Sequence, residues 1–220
     1  MKIATWNIER FQSRFQKQIL ETIQEIDADI LVLTETFSSI ELNGYEYIKT
    51  SSLPKYIDGQ DYREGENRSS IYSKYPIVNS HETYNNYTSI CADINTPLGI
   101  ITVYASIIGI VGNRQPYFNN DLDGQLQDFD RIFPSKENIC IMGDLNTTFT
   151  GRVFPSHHAR NTLNDAFDKF NLQITTKDID NNVDHIIISK HFLNSNISQP
   201  FIFNVKQPKL SDHIGVCLEI

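Results

Sequence analysis

Apolar and polar positions change period several times along the chain, and each change predicts an element. Residues 2–8 alternate as a strand. From 12 to 27 the period becomes helical, with Phe15, Ile19, Ile23 and Ile26 on one face. Asp29–Thr36 is a short apolar run ending in polar residues, the pattern of a buried strand that delivers side chains at its C-terminal end. Residues 45–50 predict another strand, and the polar, glycine-containing stretch 51–67 a long loop. Strand-like runs follow at 69–74, 88–95 and from Gly99, with Thr96-Pro97-Leu98-Gly99 as a turn. A polar loop at 109–121 leads into a second helix carrying Leu122, Leu126, Phe129 and Phe133 on one face. Ile139–Met142 predicts a buried strand, 148–160 a loop and 162–171 a helix. Residues 183–189, 197–205 and 214–220 predict the closing strands. Two groups of strands and helices with a similar layout imply one domain over 1–220. Its expected architecture is a four-layered α/β sandwich, two mixed β-sheets face to face with helices outside.

Composition narrows the class. With 40 % hydrophobic and 21 % charged residues the chain is ordinary globular material. No apolar run reaches membrane-spanning length. The start, Met-Lys-Ile-Ala-Thr-Trp-Asn, lacks the basic and long apolar regions of a signal peptide, so none is expected. Cys91, Cys140 and Cys217 lie far apart in apolar stretches without zinc spacing. They predict reduced core thiols and a cytoplasmic location. The net charge of −8 argues against a broad basic nucleic-acid platform, though a carboxylate site built around a cation is itself acidic.

Polar residues gather at predicted strand ends: Asn7, Glu35, Asp144 with Asn146, Asp184, and Asp212 with His213. Taken singly each has a bland alternative. Asn7 can end a strand, Gly-Asp-Leu-Asn can be an Asx turn, and a lone histidine is more often structural than catalytic. Together they form the inventory that phosphodiester hydrolysis needs. Oxygen ligands hold a hard cation, with Glu35 first, Asn7 beside it and Asp212 close by. Asp144 is a base for water, Asn146 a donor to phosphoryl oxygen, and His213 a donor oriented by Asp184.

The order of these motifs resembles the endonuclease/exonuclease/phosphatase superfamily. TWNIE (5–9), LTET (33–36), RSSIYSKYPI (68–77), GDLNT (143–147), VDHIIIS (183–189) and SDHIGV (211–216) span nearly the whole chain. The resemblance implies the four-layered sandwich and a divalent cation, Mg²⁺ or Mn²⁺, at Asn7 and Glu35 with Asp212 contributing. It implies that Asp144 activates water, that Asn146 positions the phosphate, and that an Asp184–His213 pair contacts it. The family's His or Tyr on the strand before GDLN corresponds either to Tyr104 or to Ser106, which share one face of a strand. Arg68 and Arg114 are further candidates for substrate phosphate. His157-His158 reads as an exposed, silent pair. The expected substrate is a phosphodiester in nucleic acid or a nucleic-acid adduct. The alternatives are a small-molecule or lipid phosphate, and a non-catalytic binding module that kept the fold.

Overall fold

The computed structural model describes residues 1–57, 59–109, 115–194, 198–206 and 209–220. The strands are β1 (Lys2–Asn7), β2 (Ile30–Phe37), β3 (Tyr47–Thr50), β4 (Tyr56–Ile57), β5 (Gln60–Asp61), β6 (Glu66–Ser73) and β7 (Ile77–His81). They continue as β8 (Ser89–Thr96), β9 (Gly99–Ile107), β10 (Ile139–Asp144), β11 (Leu172–Ile174), β12 (Asp184–Ser189), β13 (Phe201–Phe203) and β14 (Gly215–Glu219). The α-helices are α1 (Gln16–Ile26), α2 (Tyr117–Ile132) and α3 (His157–Lys169). One six-stranded sheet has the order β13-β14-β1-β2-β6-β3, the other β11-β12-β10-β9-β8-β7. Each has a parallel pair at its centre, β1 with β2 and β9 with β10, flanked by antiparallel neighbours.

Three apolar clusters show why these elements stack. Ile3, Ile30, Val32 and Val216 of the first sheet meet Ile101, Val103, Met142 and Ile186 of the second between the sheets. On the outside of the first sheet, Trp6, Leu31 and Leu33 receive Ile19 and Ile23 of α1. On the outside of the second, Tyr104, Ile141 and Ile187 receive Phe118, Leu122 and Phe129 of α2 and Leu163 and Phe167 of α3. Each fully buried side chain of this size contributes about 1.5–3 kcal/mol, so both faces of both sheets are committed. The chain is therefore a four-layered sandwich, as its pattern predicted.

The local differences have physical reasons. The helix expected from residue 12 starts at Gln16, because Glu9, Arg10 and Phe11 all take left-handed φ and the chain must turn before it can wind. The loop expected over 51–67 holds the small β4–β5 hairpin and the start of β6. Strand β7 and the short β11 escaped sequence reading; neither carries a run of apolar alternation long enough to stand out. The last helix begins at His157, five residues earlier than expected, where the Ser156 hydroxyl accepts the Ala159 N–H at 3.1 Å and caps it.

Candidate active site

Strand alternation builds the site. In β1, Ile3 faces the inter-sheet core and Trp6 faces α1, so Asn7 turns inward at the strand's end. In β10, Cys140 and Met142 face inward, and Asp144 follows in phase. In β12, Ile186 and Ile188 face inward, and Asp184 precedes them in phase. Asp144 and Asp184 are directly paired across the β10–β12 ladder. Three inward positions thus converge on one rim, beyond the last apolar layer.

Glu35 reaches the same rim by another route. Leu31 and Leu33 face α1, and an extended Glu35 would follow them. Instead Glu35 adopts φ of 49°, and the β2–β6 register, paired at Thr34 with Ser69, resumes at Thr36 with Asn67. The left-handed residue brings the carboxylate to Asn7, whose Nδ2 donates to Glu35 Oε1 at 3.3 Å and to Asp144 Oδ2 at 3.1 Å. Gly143 makes a second backbone exception. At φ of 136° it lies against β9, where a Cβ would come within 2.0 Å of the Ser106 carbonyl oxygen. Asp144 Oδ1 accepts the Asn146 N–H at 2.9 Å, and Asn146, itself left-handed, donates from Nδ2 to the Ile108 carbonyl.

His213 Nδ1 lies 2.6 Å from Asp184 Oδ2, and its Nε2 lies 3.9 Å from Asp212 Oδ1 at the exposed mouth. Ligand atoms of Asp144, Asp184 and His213 all fall within 4.8 Å of one another, a group able to hold a metal ion. Burial and the neighbouring Asp184 raise the Asp144 carboxyl to about 7. Burial also raises Glu35, against the opposing pull of Arg68. Burial alone would lower His213, but Asp184 beside it outweighs this and pushes the imidazole up to about 11. Among the described residues, Asp184 Oδ1 is buried with no hydrogen-bond partner. Crowded carboxylates, two of them raised, together with one orphaned buried oxygen, make a field that a divalent cation relieves. The carboxylate oxygens of Glu35, Asp144 and Asp184 suit a hard cation such as Mg²⁺ or Mn²⁺, while His213, protonated beside Asp184, stands outside that donor set.

The structure therefore brings Asn7, Glu35, Asp144, Asn146, Asp184, Asp212 and His213 together. It does not bring Tyr104 or Ser106. Both are fully buried on the outer side of β9, facing α2. The Tyr104 hydroxyl meets Asp128 Oδ2 at 2.8 Å and Ser89 Oγ at 2.9 Å, and Ser106 Oγ donates to Gln125 Oε1 at 2.5 Å. Either alignment of this strand's donor is corrected by the same period-two geometry that places Asp144. The inward residue at that level is Ile107, paired with Asp144, which brings no polar group. Arg68 is buried near Glu35 and donates to the Gly109 carbonyl at 2.5 Å. Arg114 lies outside the described residues. His157 and His158 are exposed in the first turn of α3.

Sequence reading missed the supports. Glu9 Oε2 accepts the Asp212 N–H at 3.0 Å. Ser211 Oγ donates to the Asn7 carbonyl at 2.7 Å and accepts the His213 N–H at 3.1 Å, tying the first strand to the last. Asn204 Nδ2 and Trp6 Nε1 both donate to the His213 carbonyl, at 2.6 and 3.3 Å. Glu9 and Ser211 sit inside the TWNIE and SDH motifs, which is the signal that could have found them. Asn204 carries none.

The family model described as "Endonuclease/Exonuclease/phosphatase family" matches residues 4–213. No curated protein sequence matches the chain. Among solved structures, an endonuclease/exonuclease/phosphatase from Beutenbergia cavernae DSM 12333 is similar at 16 % identity and a TM-score of 0.72, over 99 % of this chain and 70 % of that one. The 3′ phosphatase NExo from Neisseria bound to product DNA hairpin is similar at 14 % identity and 0.73, over 100 % and 99 %. The endonuclease domain of TRAS1, a telomere-specific non-LTR retrotransposon, is similar at 13 % identity and 0.74, over 100 % and 97 %. Identities this low establish a shared fold.

Proposed function

Because the chain belongs to the endonuclease/exonuclease/phosphatase family of phosphoric ester hydrolases, we propose that it hydrolyses phosphodiesters with a divalent cation, Mg²⁺ or Mn²⁺. Glu35 is the principal carboxylate for that cation, with Asn7 beside it and Asp212 at the mouth. When bound, the cation neutralises phosphate charge and stabilises the leaving oxygen. Asp144, raised towards neutrality and fixed by the Asn146 N–H, accepts the proton of the attacking water. His213, held protonated by Asp184, donates from Nε2 to a phosphoryl oxygen. The Asn146 amide keeps one N–H on the Ile108 carbonyl, and its second can serve the phosphate.

The 2.6 Å His213–Asp184 pair, set within reach of Asp144, carries this reading. Such a pair has no structural task here that a neutral hydrogen bond would not fill. Nucleic acid is the favoured substrate, because relatives of this fold include a 3′ phosphatase bound to a DNA hairpin. The three cysteines are buried and free, which supports a reducing, cytoplasmic setting, and no helix among the described residues is long and apolar enough to cross a membrane. The test is hydrolysis of single-stranded DNA, abasic duplex DNA and bis-p-nitrophenyl phosphate with Mg²⁺ or Mn²⁺. Loss of cleavage in both Glu35→Ala and His213→Ala is expected. Cleavage that survives in both would remove this site from the chemistry.

A further inference from the structure

A second feature adjoins Glu35. A small pocket of about 50 Å³ is lined by Arg10, Glu35, Gln60, Tyr62, Asn67 and Arg68, together with Glu66. Two of its lining residues form a two-pronged ion pair, Arg10 Nε to Glu66 Oε1 at 2.5 Å and Arg10 Nη2 to Glu66 Oε2 at 2.9 Å. Gln60 of the β4–β5 hairpin and the adjacent Tyr62 form one side. A pocket this small admits a phosphate group but not a further nucleoside.

Its donors are not used up by the fold. Arg68 is 3 % exposed, and among the described residues its Nε is buried with no hydrogen-bond partner. Its other two nitrogens are held, Nη2 by the Gly109 carbonyl and Nη1 by the Tyr62 hydroxyl at 3.2 Å. Gly109 is in turn fixed, its N–H donating to Asp121 Oδ2 at 2.9 Å. In the Arg68 contact the Tyr62 oxygen is the acceptor, so its own O–H remains to be given. A buried guanidinium with an unpartnered N–H costs the fold stability, so its place beside the pocket is not explained by packing alone. The Arg68 guanidinium and the Tyr62 O–H line this one pocket, a pairing that matches a phosphate oxygen.

We propose that this pocket is a subsite for a terminal phosphomonoester of the substrate, separate from the scissile phosphate at Asp144 and His213. The assignment rests on Glu35 being the cation's carboxylate, because that places the pocket beside the reacting phosphate. It gives the enzyme a preference for strand ends that carry a phosphate, over internal positions and over unphosphorylated ends. Arg68 and Tyr62 are its specificity-determining residues.

The experiment compares kcat/KM for thymidine dinucleotides with a terminal phosphate, pTpT and TpTp, against TpT and the trinucleotide TpTpT. Wild type is expected to favour one phosphorylated dinucleotide over both others by about tenfold or more, the worth of a charge-assisted hydrogen bond. In Arg68→Gln and Tyr62→Phe that ratio falls towards one. A wild type without the preference, or a ratio unchanged in both variants, overturns the proposal. Tyr62→Phe removes a single hydroxyl and keeps the test alive if Arg68→Gln fails to fold. Calorimetric titration of inorganic phosphate into the protein without metal separates this subsite from the hydrolysis reading. Phosphate affinity that drops about tenfold in Tyr62→Phe supports the subsite even if no diester is cut, and unchanged affinity in both variants overturns it.

Discussion

His213 and Asp184 stand 29 positions apart in sequence and 2.6 Å apart in space, Nδ1 to Oδ2. One arrives before β14 and the other at the start of β12, so the pair joins the two sheets at the active rim. Asp184 is buried and its second oxygen is unpartnered among the described residues, while His213 stays partly open. That asymmetry leaves Nε2 as the working atom. Asp184→Asn keeps the shape but removes the charge that fixes the proton on His213. We expect kcat/KM to fall by about 10²–10⁴ with the fold intact, and the imidazole to lose its raised pKa. Rates, circular dichroism and an NMR titration of His213 check this; a variant with near wild-type rates would contradict it.

Under the proposed function, a cation bound among the crowded carboxylates Glu35, Asp144 and Asp184 would act on stability as well as on catalysis. Chelation by EDTA is expected to abolish hydrolysis. Adding Mg²⁺ at about 100 times its Kd should stabilise wild type by about 3 kcal/mol through mass action. Scanning calorimetry should show a rise in Tm that is lost in Glu35→Gln. An equal rise in both proteins would place the cation elsewhere.

Tyr104 is placed by the structure in the α2 interface, where it donates to Asp128 and packs edge-on against Phe129. Tyr104→Phe is expected to leave kcat/KM within about twofold and to lower stability by about 1–3 kcal/mol, since Asp128 and Ser89 lose a buried partner. Urea denaturation and initial rates on the same preparation separate the two effects. A large rate loss at unchanged stability would return Tyr104 to the chemistry.

Gly143 precedes Asp144 in a conformation that also brings its backbone against Ser106. Gly143→Ala forces both an unfavourable φ and a clash with a neighbouring strand. The expected cost is about 2–4 kcal/mol, with activity falling further than stability because Asp144 moves. Denaturant midpoints together with kcat measure both; an alanine tolerated without loss would show that the strand can shift.

Asp93 offers a pH prediction far from the site. Burial pushes its carboxyl up, but Lys136 Nζ at 2.8 Å and the Thr102 hydroxyl at 2.7 Å, with His81 and Asn79, outweigh this and hold it at about 2. A carboxyl depressed below its unfolded value of about 3.9 stabilises the fold above that value and ceases to as pH falls through about 2. Asp93→Asn is thus expected to cost about 2 kcal/mol at neutral pH. The gap to wild type should close between about pH 4 and pH 2. Urea melts across that range would show it, and a gap independent of pH would mean that lost packing, not charge, is the cause.

The sequence by itself determined a great deal here. Short apolar runs at Ile30–Leu33 and Ile139–Met142 can only be strands buried on both faces, and a four-layered sandwich follows from burying them. It also placed Asn7, Asp144 and Asp184 at strand ends, Glu35 near the end of β2 and His213 just before β14, because polar residues border such apolar runs rather than interrupt them. What it could not determine was direction. Tyr104 and Ser106 differ from the inward Ala105 by one residue, and which side faces the other sheet is settled only when α2 claims the outer one. Glu35 shows the converse. Its strand pattern points it outward, and a single left-handed φ brings it to the rim. The Arg68 pocket was equally invisible, since it joins the turn after β1, the β4–β5 hairpin and β6 with nothing periodic between them. Periodicity is a local property of the backbone. Pockets and one-residue reversals arise where separate segments meet, and only tertiary packing fixes them.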